Sequence, residues 1–168
     1  MKERGIKWIF IGGVDNALLK MADVTLLGMA IDKNVQIASK SIVKANPHEK
    51  VGVFAKMNGH PKVIEYSEMP EKMSEEVDDN GELKYGEAHI MCNLYTIDAI
   101  EKISKEIIPE EPNSYKFESF IFDAFEFFDD IAILRGKRED DFAPVKNKEG
   151  VDSPKTAKEL YEKFWNRS

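Results

Sequence analysis

Apolar and polar positions along the chain switch repeatedly between a strand period and a helix period. Trp8-Ile9-Phe10-Ile11 is a short continuous apolar run ending in Gly12-Gly13, which predicts a buried strand opening into a loop. A helix follows, with Asp23 as N-cap, Leu26, Leu27, Ala30 and Ile31 on one face, and Asn34 as its end. Val35 to Val43 reads as an alternating strand, broken at Asn46-Pro47. Val51–Met57 and Lys62–Tyr66 flank Asn58-Gly59-His60-Pro61, and Asn-Gly between two β-rich runs predicts a hairpin. A short helix is expected over Glu71–Val77, then a loop at Asp78–Gly81 and a strand from Ile90 to Tyr95. Thr96 can cap a helix whose Ile97, Ile100, Ile103 and Ile107 form one stripe, stopped before Pro109.

The second half continues in the same manner. Phe117, Phe120, Ile121, Ala124, Phe125 and Phe128 recur at helical spacing and predict a core-facing helix. Asp130 to Leu134 reads as a strand. Ser153-Pro154 supplies an N-cap with proline at N1 for a closing helix to Phe164 or Trp165. Strands alternating with helices give an α/β fold, and the central hairpin argues for a mixed rather than all-parallel sheet. No linker divides the chain, so residues 1–168 are expected to be a single domain.

Composition narrows the function more than the fold. At 42% hydrophobic and 33% charged residues, the chain has an ordinary globular composition and length enough for a core. A net charge of −7 argues against a nucleic-acid binder, which would present a basic face. No apolar run approaches the ~20 residues of a membrane span, so no membrane partner is expected. The lone cysteine, Cys92, excludes an internal disulfide, reads as a buried strand residue, and fits a reducing, cytoplasmic setting. The acidic runs at Glu75–Glu82 and Glu110–Glu111 read as solvated surface.

Candidate chemistry is sparse on spacing alone. Asp15 lies just past a buried strand, where α/β sheets collect ligands, but on spacing alone Asp15 and Asn16 read first as a turn or a cap of the next segment. Glu65 closes the second hairpin strand and reads first as a surface acid. Lys146, in a Pro-containing stretch without regular pattern, and Lys116, ahead of the Phe-rich segment, are either phosphate clamps or solvated lysines. His48, His60 and His89 lack partners at i+3 or i+4, which disfavours zinc. No G-x-S-x-G elbow and no Walker loop occur.

Short signatures in series go further. Val14-Asp15-Asn16, Lys20-x-Ala22-Asp23, Asn46-Pro47, Val51-Gly52-Val53, Val63 to Glu68, Phe120-Ile121-Phe122-Asp123 and Arg138 to Asn147 resemble, in order, the UDP-sugar pyrophosphorylases. The resemblance is greatest to the UDP-N-acetylhexosamine pyrophosphorylases, and it spares only Met69–Glu87 and Glu101–Asn113. It implies the C-terminal part of a uridylyltransferase catalytic domain, a Rossmann-like nucleotide-diphospho-sugar transferase fold with a mixed sheet. The implied reaction takes UTP and N-acetylhexosamine 1-phosphate or glucose 1-phosphate to a UDP-sugar and pyrophosphate. It proceeds by in-line, Mg²⁺-assisted attack on the α-phosphorus, with no covalent protein intermediate.

The same resemblance assigns roles. Asp15 matches the metal-linked acid, and Lys146 a lysine on the phosphates. Gly52 lies beside the N-acetyl group, Glu65 on the sugar hydroxyls with Tyr66 next to it, Lys116 on the UTP side, and Phe120 and Phe122 along the sugar pocket. His89, in Glu87-Ala88-His89-Ile90, replaces a sugar-contacting asparagine, which opens the choice between N-acetylglucosamine and glucose. Family members carry a Gly-rich nucleotide loop ahead of Val14-Asp15-Asn16, and thirteen residues precede Val14 here. The nucleotide-loop half is therefore expected to be absent, the chain to be a fragment, and its own turnover negligible. The alternative is a non-catalytic module that binds UDP-sugar or pairs with another chain, including a second copy, through an exposed sheet edge.

Overall fold

The computed structural model describes residues 1–106 and 121–167. Its elements are β1 (Trp8–Gly12), α1 (Val24–Asp32), β2 (Ile37–Val43), β3 (Val53–Met57), β4 (His60–Ile64), α2 (Glu71–Ser74), β5 (Glu87–Thr96), α3 (Ile97–Glu106), β6 (Ala132–Arg135), α4 (Arg138–Asp141) and α5 (Pro154–Trp165). Single 3₁₀ segments cover Lys2–Arg4 and Ile121–Phe127. Six strands form one sheet in the order β4-β3-β5-β2-β6, with β1 also paired to β5. Among the described strands only β2 and β6 run parallel, and every other pair is antiparallel. The expected mixed α/β sheet is present.

The local signals hold where side chains close them. Asp23 caps α1 by accepting from the amides of Thr25 at 2.9 Å and Leu26 at 3.2 Å. The Thr96 hydroxyl accepts from the Ala99 amide at 3.1 Å. Ser153 and Thr156 form a reciprocal capping box at the start of α5.

Several boundaries differ, each for a physical reason. Asn58 and Gly59, at φ 53° and 88°, suffice as a two-residue hairpin turn, so His60 and Pro61 belong to β4. Pro61 is tolerated there because β4 is an edge strand. Glu65 consequently lies one residue past the strand rather than within it. Helix α2 stops at Ser74 because Val77 bridges Leu83 and the Lys84 amide donates to the Glu76 carbonyl. On α1 only Leu26 and Ala30 are buried, whereas Ile31 is 61% exposed. Strand β2 does not alternate: Ile37 to Ile42 are all buried, because β5 and β6 flank it and both its faces are covered. The Phe-rich segment is 3₁₀ rather than α over Ile121–Phe127, with Phe122, Ala124 and Phe125 buried. Phe117, Phe120, Lys116 and Ile107 lie outside the described residues.

Two apolar layers sandwich the sheet. One joins Leu26 and Ala30 of α1 to Ala38, Ile42, Ile90, Cys92 and Leu94. The other joins Ile37, Phe54, Val63 and Tyr95 to Ala99 and Ile103 of α3 and to Phe122, Phe125 and Phe128. Helix α5 makes a smaller cluster, Ala157 against Leu18 and Ala143, beside the loops described next.

Candidate functional site: a cleft at a split sheet edge

The site originates in how β5 shares one of its edges. Strand β2 follows β5 along one side, from Ile37 opposite Tyr95 to Val43 opposite Glu87. The other side is divided: β1 pairs Cys92 to Thr96, and β3 pairs only Ala88. Between them, β5 residues 89–91 face an opening. The strand bulges here, since Ser39 and Ser41 of β2 oppose Asn93 and His89 of β5. Met91 absorbs the extra length at φ 51°, an uncommon conformation for a residue with a side chain. Its carbonyl accepts from the Gly13 amide at 2.8 Å, and the Gly52 carbonyl accepts from the His89 amide at 2.8 Å. The two strand ends thus hold the gap open.

His89, Ile90 and Met91 at this gap line a cavity of about 640 Å³ together with Asp15, Gly52, Glu65, Tyr66, Phe122 and Lys146, among others. Seven of the nine residues singled out in the sequence meet there, and the other two, Lys116 and Phe120, lie outside the described residues. The cleft also takes in Asn46, Lys50, Arg138 and Asp152, which sequence reasoning did not select as site residues. Arg138 and Asn46 fall inside the quoted signatures, so the signal existed. Arg138 donates to both carboxylate oxygens of Glu49 at 2.7 and 2.8 Å, which anchors the Asn46–Lys50 loop.

One wall is set by close packing. A Cβ on Gly52 would sit 2.7 Å from Glu65 Oε1 and 2.8 Å from Val63 Cγ1, so only glycine lets the Glu65 carboxylate lie against the backbone there. Burial, then the Glu68 and Asp123 carboxylates, raise the Glu65 pKa above the ordinary carboxylate value, and Lys146 partly opposes them. His89 is buried among Phe54, Phe122 and Phe125, with ring centroids 4.9 to 6.0 Å away. Burial pulls its pKa down to about 4, so the ring is neutral at pH 7.

The opposite wall joins segments far apart in sequence. Asn16, 6% exposed, donates from Nδ2 to the Asp141 carbonyl at 2.8 Å. Its Oδ1 accepts from the amides of Ala143 at 2.8 Å and Leu18 at 3.2 Å. Backbone bonds from Ala17 to Ala143 and from Val145 to Asp15 continue the seam. Val14-Asp15-Asn16 and Arg138 to Asn147 are therefore one structural unit, and Asp15 and Lys146 face the same cleft because of it. Lys146 Nζ donates to the Lys50 carbonyl at 3.1 Å.

A buried ion cluster sits behind this seam. Lys40 Nζ, 2.6 Å from both Asp23 and Asp141, is joined by Lys20 at 3.2 Å from Asp141. Burial alone would lower the Lys40 pKa, but hydrogen bonds to the two carboxylates outweigh it and the pKa is raised. The Lys20-x-Ala22-Asp23 signature thus reaches the Arg138 to Asn147 signature through Lys40.

Among the described residues, no trio of His, Cys, Asp or Glu side chains is placed to hold a metal ion. No hydrogen bond or ion pair within those residues engages the Asp15 carboxylate. A single free carboxylate fits an ion such as Mg²⁺, which takes one or two protein carboxylates and fills its shell with phosphate oxygens and water. No helix is long and apolar enough to cross a membrane among those described.

Known proteins resemble this chain in sequence and in fold. The family model described as UTP–glucose-1-phosphate uridylyltransferase matches residues 1–152. The chain is 37% identical over 95% of its length to UDP-N-acetylglucosamine diphosphorylase 1 of Arabidopsis thaliana. It is 34% identical over 96% of its length to the UDP-N-acetylglucosamine pyrophosphorylase of Saccharomyces cerevisiae. It spans 36% and 40% of the length of those two relatives. The crystal structure of the uridine diphosphate N-acetylglucosamine pyrophosphorylase of Trypanosoma brucei superposes with a TM-score of 0.83 at 30% identity, over 95% of this chain and 35% of that one. UDP-glucose pyrophosphorylase of Leishmania major, at 15% identity and a TM-score of 0.62, shares the fold. The chain belongs to the UTP–glucose-1-phosphate uridylyltransferase family, the UDP-sugar pyrophosphorylases.

Proposed function

We propose that the cleft receives the sugar and phosphates of a UDP-sugar, and that this chain supplies those contacts to uridylyl transfer between UTP and a sugar 1-phosphate. The observation carrying the proposal is the meeting of Gly52, Glu65, His89 and Phe122 with Asp15 and Lys146 in one cleft. A mixed apolar and carboxylate wall suits a sugar ring, since Glu65 can accept from two hydroxyls while Phe122 packs on carbon. Lys146 and Asp15 suit the phosphates. The names of the relatives support N-acetylglucosamine as the sugar, with glucose as the competitor.

In the reaction, a phosphate oxygen of the sugar 1-phosphate forms a bond to the α-phosphorus of UTP as the α–β anhydride bond breaks, releasing pyrophosphate. Lys146 holds the phosphoryl oxygens and stabilises the charge that builds on them. Glu65 and the Gly52 backbone orient the sugar so that its phosphate meets the α-phosphorus in line. Asp15 would hold Mg²⁺, which when bound offsets phosphate charge. A cytoplasmic setting, with no nucleic-acid partner, belongs to the same proposal.

A second reading rests on β1. All five of its residues are half-buried and it pairs only with β5 among the described strands, leaving an edge able to accept another strand, including one from a second copy. Sedimentation across a concentration series tests it: association supports edge pairing, and a constant mass contradicts it. Calorimetric titration with UDP-N-acetylglucosamine and UDP-glucose, Mg²⁺ present, tests the first reading. Saturable binding that weakens in Lys146→Ala supports it; equal affinity in that variant, or none in the folded wild type, contradicts it.

A further inference from the structure

Behind His89 lies a buried polar chain with no part in the roles assigned above. His89 Nε2 is 3.1 Å from Asn93 Oδ1, and the Ser39 hydroxyl is 2.5 Å from the same oxygen. All three side chains are buried: His89 is 5% exposed, Asn93 and Ser39 fully enclosed. They sit on facing stretches of β2 and β5, Ser39 directly opposite Asn93, at the bulge that opens the cleft.

The distances decide which way the Asn93 amide points. The Ser39 hydroxyl donates to the Asn93 amide oxygen at 2.5 Å, an O–H···O distance shorter than N–H···O bonds run, while its other acceptor, the Cys92 carbonyl, is 3.4 Å away. The amide oxygen therefore faces Ser39 and, with it, His89. Asn93 Nδ2 is left buried without a partner among the described residues, a cost the chain bears in this arrangement. An oxygen cannot donate, so the neutral imidazole must carry its proton on Nε2. Nδ1 is then bare. It has no hydrogen bond among the described residues, and His89 lines the cleft.

We infer that Ser39 and Asn93 are positioning residues that fix His89 as a hydrogen-bond acceptor toward the cleft. His89 then selects a sugar that offers a donor at that point, a hydroxyl or an amide N–H, and discriminates against one that offers only an acceptor. The selectivity rests on the reading of the cleft as a UDP-sugar site; the tautomer does not. Neutrality of the ring down to about pH 4 keeps this acceptor available across the physiological range.

Two measurements separate those layers. Long-range ¹H–¹⁵N spectra of the histidine-labelled chain, with His89 assigned by its loss in His89→Gln, report which ring nitrogen is protonated. The account requires Nε2–H with a bare Nδ1. A protonated Nδ1, alone or in an imidazolium, would overturn it and turn the Asn93 amide over. Asn93→Leu is expected to release the constraint and give a mixture of tautomers, whereas an unchanged Nε2–H ring there would remove Asn93 from the device. The second measurement compares UDP-glucose with its monodeoxy-monofluoro analogues by titration. Fluorine replaces a donor with a weak acceptor, so the analogue altered at the His89 contact should bind about tenfold more weakly, the loss of one hydrogen bond. That penalty should shrink in Asn93→Leu. Uniform affinity across the analogues would refute the selectivity. If the Nε2–H ring is found but neither UDP-sugar binds, the site reading fails while the tautomer assignment stands.

Discussion

Replacing Asn16 by alanine removes the amide that clasps the two most distant signatures, 125 residues apart. Three hydrogen bonds disappear: the donation to the Asp141 carbonyl, and the acceptances from the Ala143 and Leu18 amides. The first two are 2.8 Å long and buried, so the Asp141 carbonyl and the Ala143 amide are left without partners; the Leu18 bond, at 3.2 Å, is weaker. Each buried group left unpaired costs about 1–3 kcal/mol, and water entering the space returns some of that. The net loss should be about 2–5 kcal/mol. At about 2–4 °C per kcal/mol for a chain of this size, the midpoint should fall by roughly 4–20 °C. Urea unfolding followed by tryptophan fluorescence reads the change, since Trp8 packs against the core and Trp165 closes α5. The backbone bonds from Ala17 to Ala143 and from Val145 to Asp15 remain, so the variant should fold and also bind UDP-sugar more weakly. A loss below about 0.5 kcal/mol, the range of ordinary surface substitutions, would refute the clasp.

Three further outcomes are expected. Gly52→Ala places a Cβ within 2.8 Å of Glu65 and Val63, and should lower stability by about 1–3 kcal/mol while displacing the Glu65 carboxylate; unchanged stability and affinity would contradict the close packing. Glu65→Gln should raise the melting point of the ligand-free chain at neutral pH while weakening UDP-sugar binding. Because the folded pKa of Glu65 is raised, its ionisation opposes folding as pH climbs from the unfolded carboxyl value through the folded one, so the gain should vanish in acid; a pH-independent gain would contradict this. Cys92, 1% exposed with its thiol pushed up to about 11, should resist a thiol reagent at pH 8 until the chain is unfolded, and rapid labelling of the native chain would place it wrongly.

What could be read from the chain divides by range. Caps and turns act over a few residues, so Asp23, Ser153-Pro154 and Asn58-Gly59 announced their elements directly. The long-range design was not legible. Ser39, Lys40 and Ser41 are three consecutive polar residues that alternation along a strand would not bury together, yet all three are buried because Asn93, Asp141, Asp23 and Glu87 meet them from other elements. The Phe-rich segment has helical spacing, which 3₁₀ and α forms share too closely over seven residues for periodicity to separate. The cleft itself arises from two strands dividing one edge of β5 and from a bulge at Met91, and no local pattern marks either. The signatures located its residues because they gather at that edge, which spacing along the chain does not reveal.

The central claim is that a UDP-sugar binds in this cleft, and amide chemical-shift mapping of the labelled chain tests it most directly. On titration with UDP-N-acetylglucosamine and Mg²⁺, the account predicts saturable shifts centred on Gly52, Glu65, His89 and Lys146, and reaching Asp15. Saturable shifts clustered elsewhere on the chain, or a folded spectrum that does not change, would contradict it.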